Sequence, residues 1–249
     1  MVRLSELCQY ADAYLDVSRF RDYAPNGLQV EGRPEVRRLV SGVTASLALI
    51  EAAIDLNADA ILVHHGYFWR GEPAEIVGPR RRRLKALLAH DLSLIAYHLP
   101  LDAHPEVGNN AQLACRLGFT AESPLNTEGI GSVGRADVPL TLDDLVVRIT
   151  AALGREPMVI PAGPPRLERV AWCTGAAQGY LEHAAALGVH AYLSGEISEQ
   201  TVHTAREAGV HYLAAGHHAT ERYGVQALGD HLAVHWGIEH RFIDIDNPV

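Results

Sequence analysis

Short apolar runs alternate with segments of helical periodicity along most of the chain. The apolar runs, which predict strands, lie at 38–43, 60–63, 92–97, 167–173, 189–194 and 210–215. The segments whose apolar residues recur with the helical period lie at 46–56, 80–88, 109–117, 142–153, 178–187 and 199–208. Strands that are separated by helices pair in parallel, so the pattern predicts an α/β fold with mainly parallel sheets.

The two halves of the chain resemble each other. Residues 39–65, shifted by 131 positions, align without a gap on residues 170–196 with six identities. Residues 92–102, shifted by 119, align on 211–221, so that both halves carry a histidine followed four positions later by a carboxylate. We therefore expect two similar α/β units at residues 1–124 and 125–249, with the C-terminal segment able to pack back on the first unit.

Composition excludes several classes of protein. Of 249 residues, 48% are hydrophobic and 20% charged, as in a globular protein, and no apolar run is long enough to span a bilayer. The first residues are charged and do not form a signal peptide, so we expect a cytoplasmic location. Three cysteines without C-x-x-C spacing indicate reduced thiols. A net charge of −9 disfavours general adsorption to nucleic acid.

Histidine is unusually frequent, with 14 residues, and it clusters at predicted strand ends. His64 and His65 end one strand, His98 follows another with Asp102 close behind, and His217 follows a third with Glu221. Ligands of open α/β sheets bind at the carboxyl ends of the strands, and imidazoles with carboxylates are common metal ligands. Each histidine alone is more often a hydrogen-bonded structural residue, but three clusters together favour a metal site.

The spacing within the clusters favours two metal ions. His217 and Glu221 lie four residues apart and project from one face of a helix. Adjacent residues of a strand point in opposite directions, so two neighbouring ions would use His64 and His65 better than one ion would. His98 is a candidate ligand, or a proton shuttle behind the ligands.

Two further features are open to two interpretations. Glu196 takes the place of His65 in the repeat and is a candidate to face the same cavity. The basic run Arg80–Arg83, with Lys85, is either a solvated helix face or a contact for phosphate or nucleic acid.

Five segments carry a resemblance to a known family. They are PNGLQVEG (25–32), ILVHHGYFW (61–69), YHLPLDAHPEVGNNAQLA (97–114), LSGEISEQTVHTAREAG (193–209) and AAGHHATERYG (214–224). Together these segments resemble the Nif-three-like family over nearly the whole chain. The chain is similar to the short members, which lack the extra domain that longer members carry between the two halves.

The resemblance implies two similar α/β domains, a dinuclear metal centre and a ring-shaped homohexamer. It implies that the metal ligands are His64, His65, Asp102, His217 and Glu221. It excludes His98 from the ligands and leaves this residue as the candidate catalytic proton carrier. Mixed imidazole and carboxylate ligands suit two divalent ions of zinc, iron, manganese or nickel.

Three functions are compatible with these features. The first is a metal-dependent hydrolase that acts on a purine nucleotide, of the GTP cyclohydrolase type, with arginines holding the phosphates. The second is a non-enzymatic ring that binds nucleic acid or a partner protein, supported in the sequence by Arg80–Arg83. The third is metal storage or delivery, which predicts weak and exchangeable occupancy.

Overall fold

The computed structural model describes residues Met1–Val249, which pack as two units. Unit 1 comprises Met1–Leu101 and Gly224–Asp246, and unit 2 comprises Asp102–Tyr223 and Asn247–Val249. The sequence pattern placed the boundary at residues 124 and 125. However, β7 (Phe119–Pro124) pairs with β8 (Ser132–Leu140), and this hairpin stays within unit 2. The packing therefore divides the chain earlier than the repeat suggested.

Unit 1 is built around a five-stranded sheet. Its strands in chain order are β2 (Gly27–Val30), β4 (Arg38–Thr44), β5 (Ala60–His65), β6 (Ser93–Ala96) and β13 (Glu239–Phe242). The spatial order is β13-β4-β5-β6-β2, and all neighbours are parallel except β2, which pairs antiparallel with β6. The short strands β1 (Val2–Arg3) and β3 (Glu35–Val36) form a separate antiparallel pair.

The helices of unit 1 follow from local signals as well as from packing. They are α1 (Leu4–Tyr14), α2 (Leu47–Asp55), α3 (Gly78–Ala89) and the start of α4 (Leu99–Ala103). The hydroxyl of Ser46 accepts a hydrogen bond from Leu49 N and caps α2. Leu49 and Ile50 then bury fully in the core that α2 shares with the central strands.

Unit 2 contains a six-stranded mixed sheet. Besides β7 and β8, its strands are β9 (Met158–Ile160), β10 (Leu167–Cys173), β11 (Ala191–Ser194) and β12 (His211–Ala214). The spatial order is β7-β8-β10-β11-β12-β9, in which β10, β11 and β12 are parallel. The predicted α/β fold with largely parallel central strands is thus confirmed in both units.

Helices flank the strands of unit 2 at almost the predicted positions. They are α5 (Asn109–Leu117), α6 (Leu142–Leu153), α7 (Leu181–Ala186), α8 (Glu199–Ala208) and α9 (His217–Trp236), the last of which ends in unit 1. Thr141 and Asp144 form a reciprocal capping box at the start of α6. The helices are too short or too polar to include a bilayer-spanning segment.

Candidate metal centre

In unit 1, two adjacent histidines end β5 and bring their rings together. The His64 side chain is fully buried, and its Nδ1 donates to Tyr97 O over 2.9 Å. A carbonyl only accepts hydrogen bonds, so this ring carries its proton on Nδ1 and presents Nε2 as the lone-pair atom. Nδ1 of His65 lies 3.2 Å from Thr44 Oγ1. Both rings therefore have one nitrogen held by the protein.

The expectation that these two rings point in opposite directions is wrong. Their centroids lie 4.6 Å apart, closer than alternation along a regular strand allows. His65 is the last residue of β5, where the pleat is no longer fixed by a following strand residue. Gly66 follows, and a Cβ there would lie 2.7 Å from the Cβ of Ala96 on β6, so a residue with a side chain would be crowded at this position.

His98 joins this cluster from the end of β6. One ligand atom from each of His64, His65 and His98 lies within 4.8 Å of the others. Nδ1 of His98 donates to Asp22 Oδ1 over 2.9 Å, and its backbone N–H donates to Asn26 Oδ1 over 2.7 Å. The ring is thus oriented with Nε2 pointing away from Asp22, a geometry suited to a metal ligand or to a proton carrier.

Asp22 is a strongly held carboxylate that no sequence motif predicts. Burial alone would raise its pKa, but hydrogen bonds from His98, Asn26 and Leu99 N, together with the charge of His98, lower the pKa to about 2. Asn26 belongs to the segment PNGLQVEG, one of the five that carry the family resemblance. The sequence pattern does not indicate what Asn26 does. Asp22 lies outside that segment, and nothing in its sequence context marks it.

In unit 2, His217 and Glu221 form a close pair in the first turns of α9. His217 Nε2 lies 3.1 Å from Glu221 Oε2, as their spacing predicts, and only 3% of Glu221 is exposed. On the other side of the ring, Nδ1 lies 2.7 Å from Glu196 Oε1. Burial would lower the pKa of His217, but the two carboxylates raise it to about 9. Glu196, an open candidate from the sequence, therefore acts on His217 directly.

The backbone of unit 2 is shaped to accept this pair. Gly175 has φ +69, and a Cβ there would lie 2.1 Å from Glu221 Oε1 and 3.2 Å from His217 Nε2. A Cβ on Gly195 would lie 2.7 Å from the Cα of His217. The loops after β10 and β11 therefore come close to the start of α9, and only residues without a side chain fit there.

Asp102 is the other buried carboxylate of unit 2. Its Oδ1 accepts hydrogen bonds from Asn109 Nδ2 over 2.9 Å and from Thr174 Oγ1 over 3.3 Å. Burial, followed by the charges of Asp102 and Glu221, raises the pKa of the nearby Cys173 well above its usual value. The thiol therefore stays protonated, and Asp102, His217 and Glu221 are the groups of this unit that could hold a metal ion.

The predicted ligands thus form a group in each unit. Unit 1 places His64 and His65 together with His98, and unit 2 pairs His217 with Glu221 and holds Asp102 buried. Buried carboxylates are costly unless a cation or hydrogen-bond donors compensate them. Imidazoles whose Nδ1 is already bound to oxygen are the usual form of metal-ligating histidine. The donor chemistry of both groups fits divalent ions.

Comparison with known proteins gives a consistent result over the full length. The family model for Duf34/NIF3 (NGG1p interacting factor 3) matches residues 2–248. A Pseudomonas aeruginosa protein named GTP cyclohydrolase 1 type 2 homolog is 60% identical over 250 residues, covering 99% of each chain. An Escherichia coli protein of the same name is 51% identical over 245 residues, covering 98% of each.

Solved structures agree in fold and length. The protein ybgI, described as of unknown function, superposes with a TM-score of 0.97 at 49% identity and full coverage of both chains. TTHA1606 from Thermus thermophilus superposes with a TM-score of 0.92 at 35% identity, again with full coverage. The chain therefore belongs to the Duf34/NIF3 family.

Proposed function

We propose that this protein is a metal-dependent hydrolase that acts on a purine nucleotide and binds two divalent ions through His64, His65, Asp102, His217 and Glu221. The observation that carries the proposal is the pair of oriented groups: clustered imidazoles in unit 1 and buried carboxylates beside an imidazole in unit 2. The name shared by the relatives supports the nucleotide as the substrate class. A homohexamer, as the resemblance implies, is part of the proposal.

Bound divalent ions supply a Lewis acid and lower the pKa of water toward neutrality, which is the chemistry that ring-opening hydrolysis requires. The protein's own residues then position and move protons. His98 holds its Nδ1 proton against Asp22, so Nε2 is the atom that takes up or delivers a proton during the reaction. Thr44, Tyr97 and Glu196 hold the other rings in place from behind.

Metal stoichiometry tests the first half of the proposal. Elemental analysis of protein purified without chelator should give two ions per chain. Glu221→Ala should remove one or both, and loss of both assigns Glu221 a bridging position. Glu207→Ala, which removes an exposed carboxylate on α8, is the matched control. Unchanged metal content in Glu221→Ala contradicts the ligand set.

Turnover tests the second half. The protein incubated with GTP and manganese, iron or zinc should release formate or a ring-opened product. Absence of turnover with every metal, on GTP and on a panel of other nucleotides, contradicts the hydrolase.

A nucleic-acid-binding ring is the second candidate, because the basic run is solvent-facing. Arg81 and Arg82 are exposed on α3, whose Leu84 and Leu87 are buried in the core of unit 1. Binding through these residues predicts a DNA affinity that falls steeply with salt and is lost in Arg81→Ala/Arg82→Ala. The same affinity should be unaffected by His65→Ala. Salt-independent or absent DNA binding removes this candidate.

A further inference from the structure

Two aromatic rings stand edge-on to His98 in unit 1. The rings of Tyr23 and Trp69 each lie 5.0 Å from the His98 ring, at interplanar angles of 76° and 78°. Their own centroids are 5.5 Å apart. The chain is poor in aromatic residues, at 6%, so two of them against the candidate proton carrier form an unusual concentration.

These rings do not serve the hydrophobic core. Tyr23 is 52% exposed, and neither ring belongs to the core cluster that α2 and the central strands form. Phe68, next to Trp69, is 38% exposed and has φ +66, a conformation that is strained for a side chain of this size. The segment that follows His65 thus keeps large apolar rings at the surface, at an energetic cost, and this is typical of a binding surface.

Hydrogen bonds fix the indole ring of Trp69 and the backbone that carries Tyr23. Trp69 Nε1 donates to Gly66 O over 3.1 Å, which ties the indole back to the end of β5. Arg70 N donates to Tyr23 O over 2.8 Å, so the segments that carry the two rings are joined directly. An indole held in this way loses little conformational entropy when a flat ligand stacks on it.

Two arginines lie on the segments next to these rings, one of them against Phe68. The guanidinium of Arg80, the first arginine of the basic run, lies 5.1 Å from the centroid of the Phe68 ring. The Arg70 guanidinium donates to Asp22 O, and Asp22 in turn orients His98. Aromatic rings next to arginines are the pattern with which proteins bind a planar base attached to phosphate.

We infer that Tyr23 and Trp69 form the stacking surface for the purine ring of the substrate. The inference rests on the proposed function and assigns residues to substrate binding that the metal ligands do not include. A base that stacks there lies against His98, the group proposed to move protons. Tyr23 and Trp69 are thus specificity-determining residues, since they select a flat aromatic ligand over the phosphate chain alone.

Ligand titrations of the purified chain test the inference. GMP and inorganic tripolyphosphate are titrated separately into wild type, Tyr23→Leu, Trp69→Leu and Trp69→Phe, with intrinsic fluorescence and calorimetry as readouts. The Kd for GMP should rise about tenfold in each leucine variant, because base stacking on one aromatic ring contributes about that factor. Trp69→Phe should retain most of the affinity, which excludes misfolding as the cause. The Kd for tripolyphosphate should not change.

Trp236→Leu is the matched control. The Trp236 ring packs against the ring of Tyr10 in unit 1 and does not belong to the segment that follows β5. Removal of the Trp236 ring should leave GMP binding unchanged. Wild-type affinity for GMP in both leucine variants overturns the stacking surface while leaving the nucleotide hydrolase intact. Ring-dependent GMP binding without turnover of any nucleotide overturns the hydrolase and keeps the stacking surface. Failure of GMP to bind wild type overturns the stacking surface, and turnover of GTP decides the hydrolase separately.

Discussion

In each unit, a histidine follows the last of three parallel strands, and a carboxylate binds Nδ1 of its ring. The carboxylate comes from a different part of the chain in each unit. In unit 1, Asp22 binds Nδ1 of His98 over 2.9 Å, and Asp22 precedes β2. In unit 2, Glu196 binds Nδ1 of His217 over 2.7 Å, and Glu196 follows β11. The two units share the strand framework and the position of the imidazole, whereas each recruits its own carboxylate.

The units differ in the charge that they offer. Unit 1 gathers three imidazoles, and unit 2 pairs one imidazole with Glu221 and holds Asp102 nearby in the same unit. Neutral nitrogen donors set geometry and ion preference, while carboxylates neutralise the charge of a bound cation. The two groups therefore differ in chemistry, with nitrogen donors dominating in unit 1 and negative charge in unit 2.

The largest effect is expected when the two equivalent histidines are removed one at a time. We expect His217→Ala to lower metal affinity by more than about 100-fold, because a direct ligand is lost. We expect His98→Ala to keep its metal and to lower kcat about 100-fold, as the loss of a general acid–base group does. Elemental analysis and nucleotide turnover measure the two effects. Metal loss in both variants would make the two histidines equivalent ligands and contradict the difference in role.

A second substitution tests whether the backbone at Gly175 fixes the position of the Glu221 carboxylate. Gly175→Ala places a methyl group 2.1 Å from Glu221 Oε1, so Glu221 must move, and metal affinity should fall about tenfold to 100-fold. Gly188→Ala is the control, because Gly188 has φ +72 but no atom within 4 Å of its Cβ position. Both variants lose about 1–3 kcal/mol of stability from strain. Equal metal affinities in the two variants would show that the methyl group is tolerated.

The free energy of unfolding at acidic pH tests the role of Asp22, the carboxylate that binds His98 in unit 1. The pKa of Asp22 is about 2 in the folded chain and 3.8 ordinarily, so its ionised form stabilises the fold by about 2 kcal/mol above pH 4. That contribution is lost as pH falls through about 2. Asp22→Asn should therefore lower the free energy of unfolding at pH 7 and have little effect near pH 2. Chemical denaturation at several pH values measures this.

The control for Asp22 is Asp55→Asn, which alters an exposed carboxylate on α2. Its free energy of unfolding should change little at any pH. If Asp22→Asn lowers the free energy of unfolding equally at every pH, the cause is lost packing rather than lost charge.

The smallest effect is expected from the orienting carboxylate of unit 2. Glu196→Gln keeps a group that can bind the His217 ring but removes the negative charge, and metal affinity should fall about tenfold. Competition with a chelator of known affinity measures the change. An unchanged affinity would show that the charge of Glu196 does not affect metal binding in unit 2. The two units would then differ, because the charge of Asp22 stabilises unit 1.

Much of the fold could be predicted because the chain carries strong local signals. Helices α5, α6 and α8 occupy the residues expected from periodicity, and each ends at a glycine in the left-handed region. The internal repeat aligns His98 with His217 and Asp102 with Glu221 in the sequence. The i, i+4 pairing of His217 with Glu221 follows from helix geometry alone and is confirmed.

The remaining features depend on packing that sequence spacing does not encode. The unit boundary differs because pairing of β7 with β8 places residues 119–124 in unit 2. The rings of His64 and His65 lie together at the end of β5, just before Gly66, where strict strand alternation no longer applies. Asp22 comes from a loop more than 70 residues before His98, and no spacing rule connects them.

Cys173 gives the interior of unit 2 resistance to oxidation. Its side chain is 2% exposed, and burial, followed by the charges of Asp102 and Glu221, raises its pKa and keeps it in the thiol form. Peroxide oxidises the thiolate rather than the thiol, so sulfenic acid forms slowly at such a position. The thiol of Cys173 therefore persists under oxidising conditions that modify an exposed cysteine such as Cys115 of the same unit.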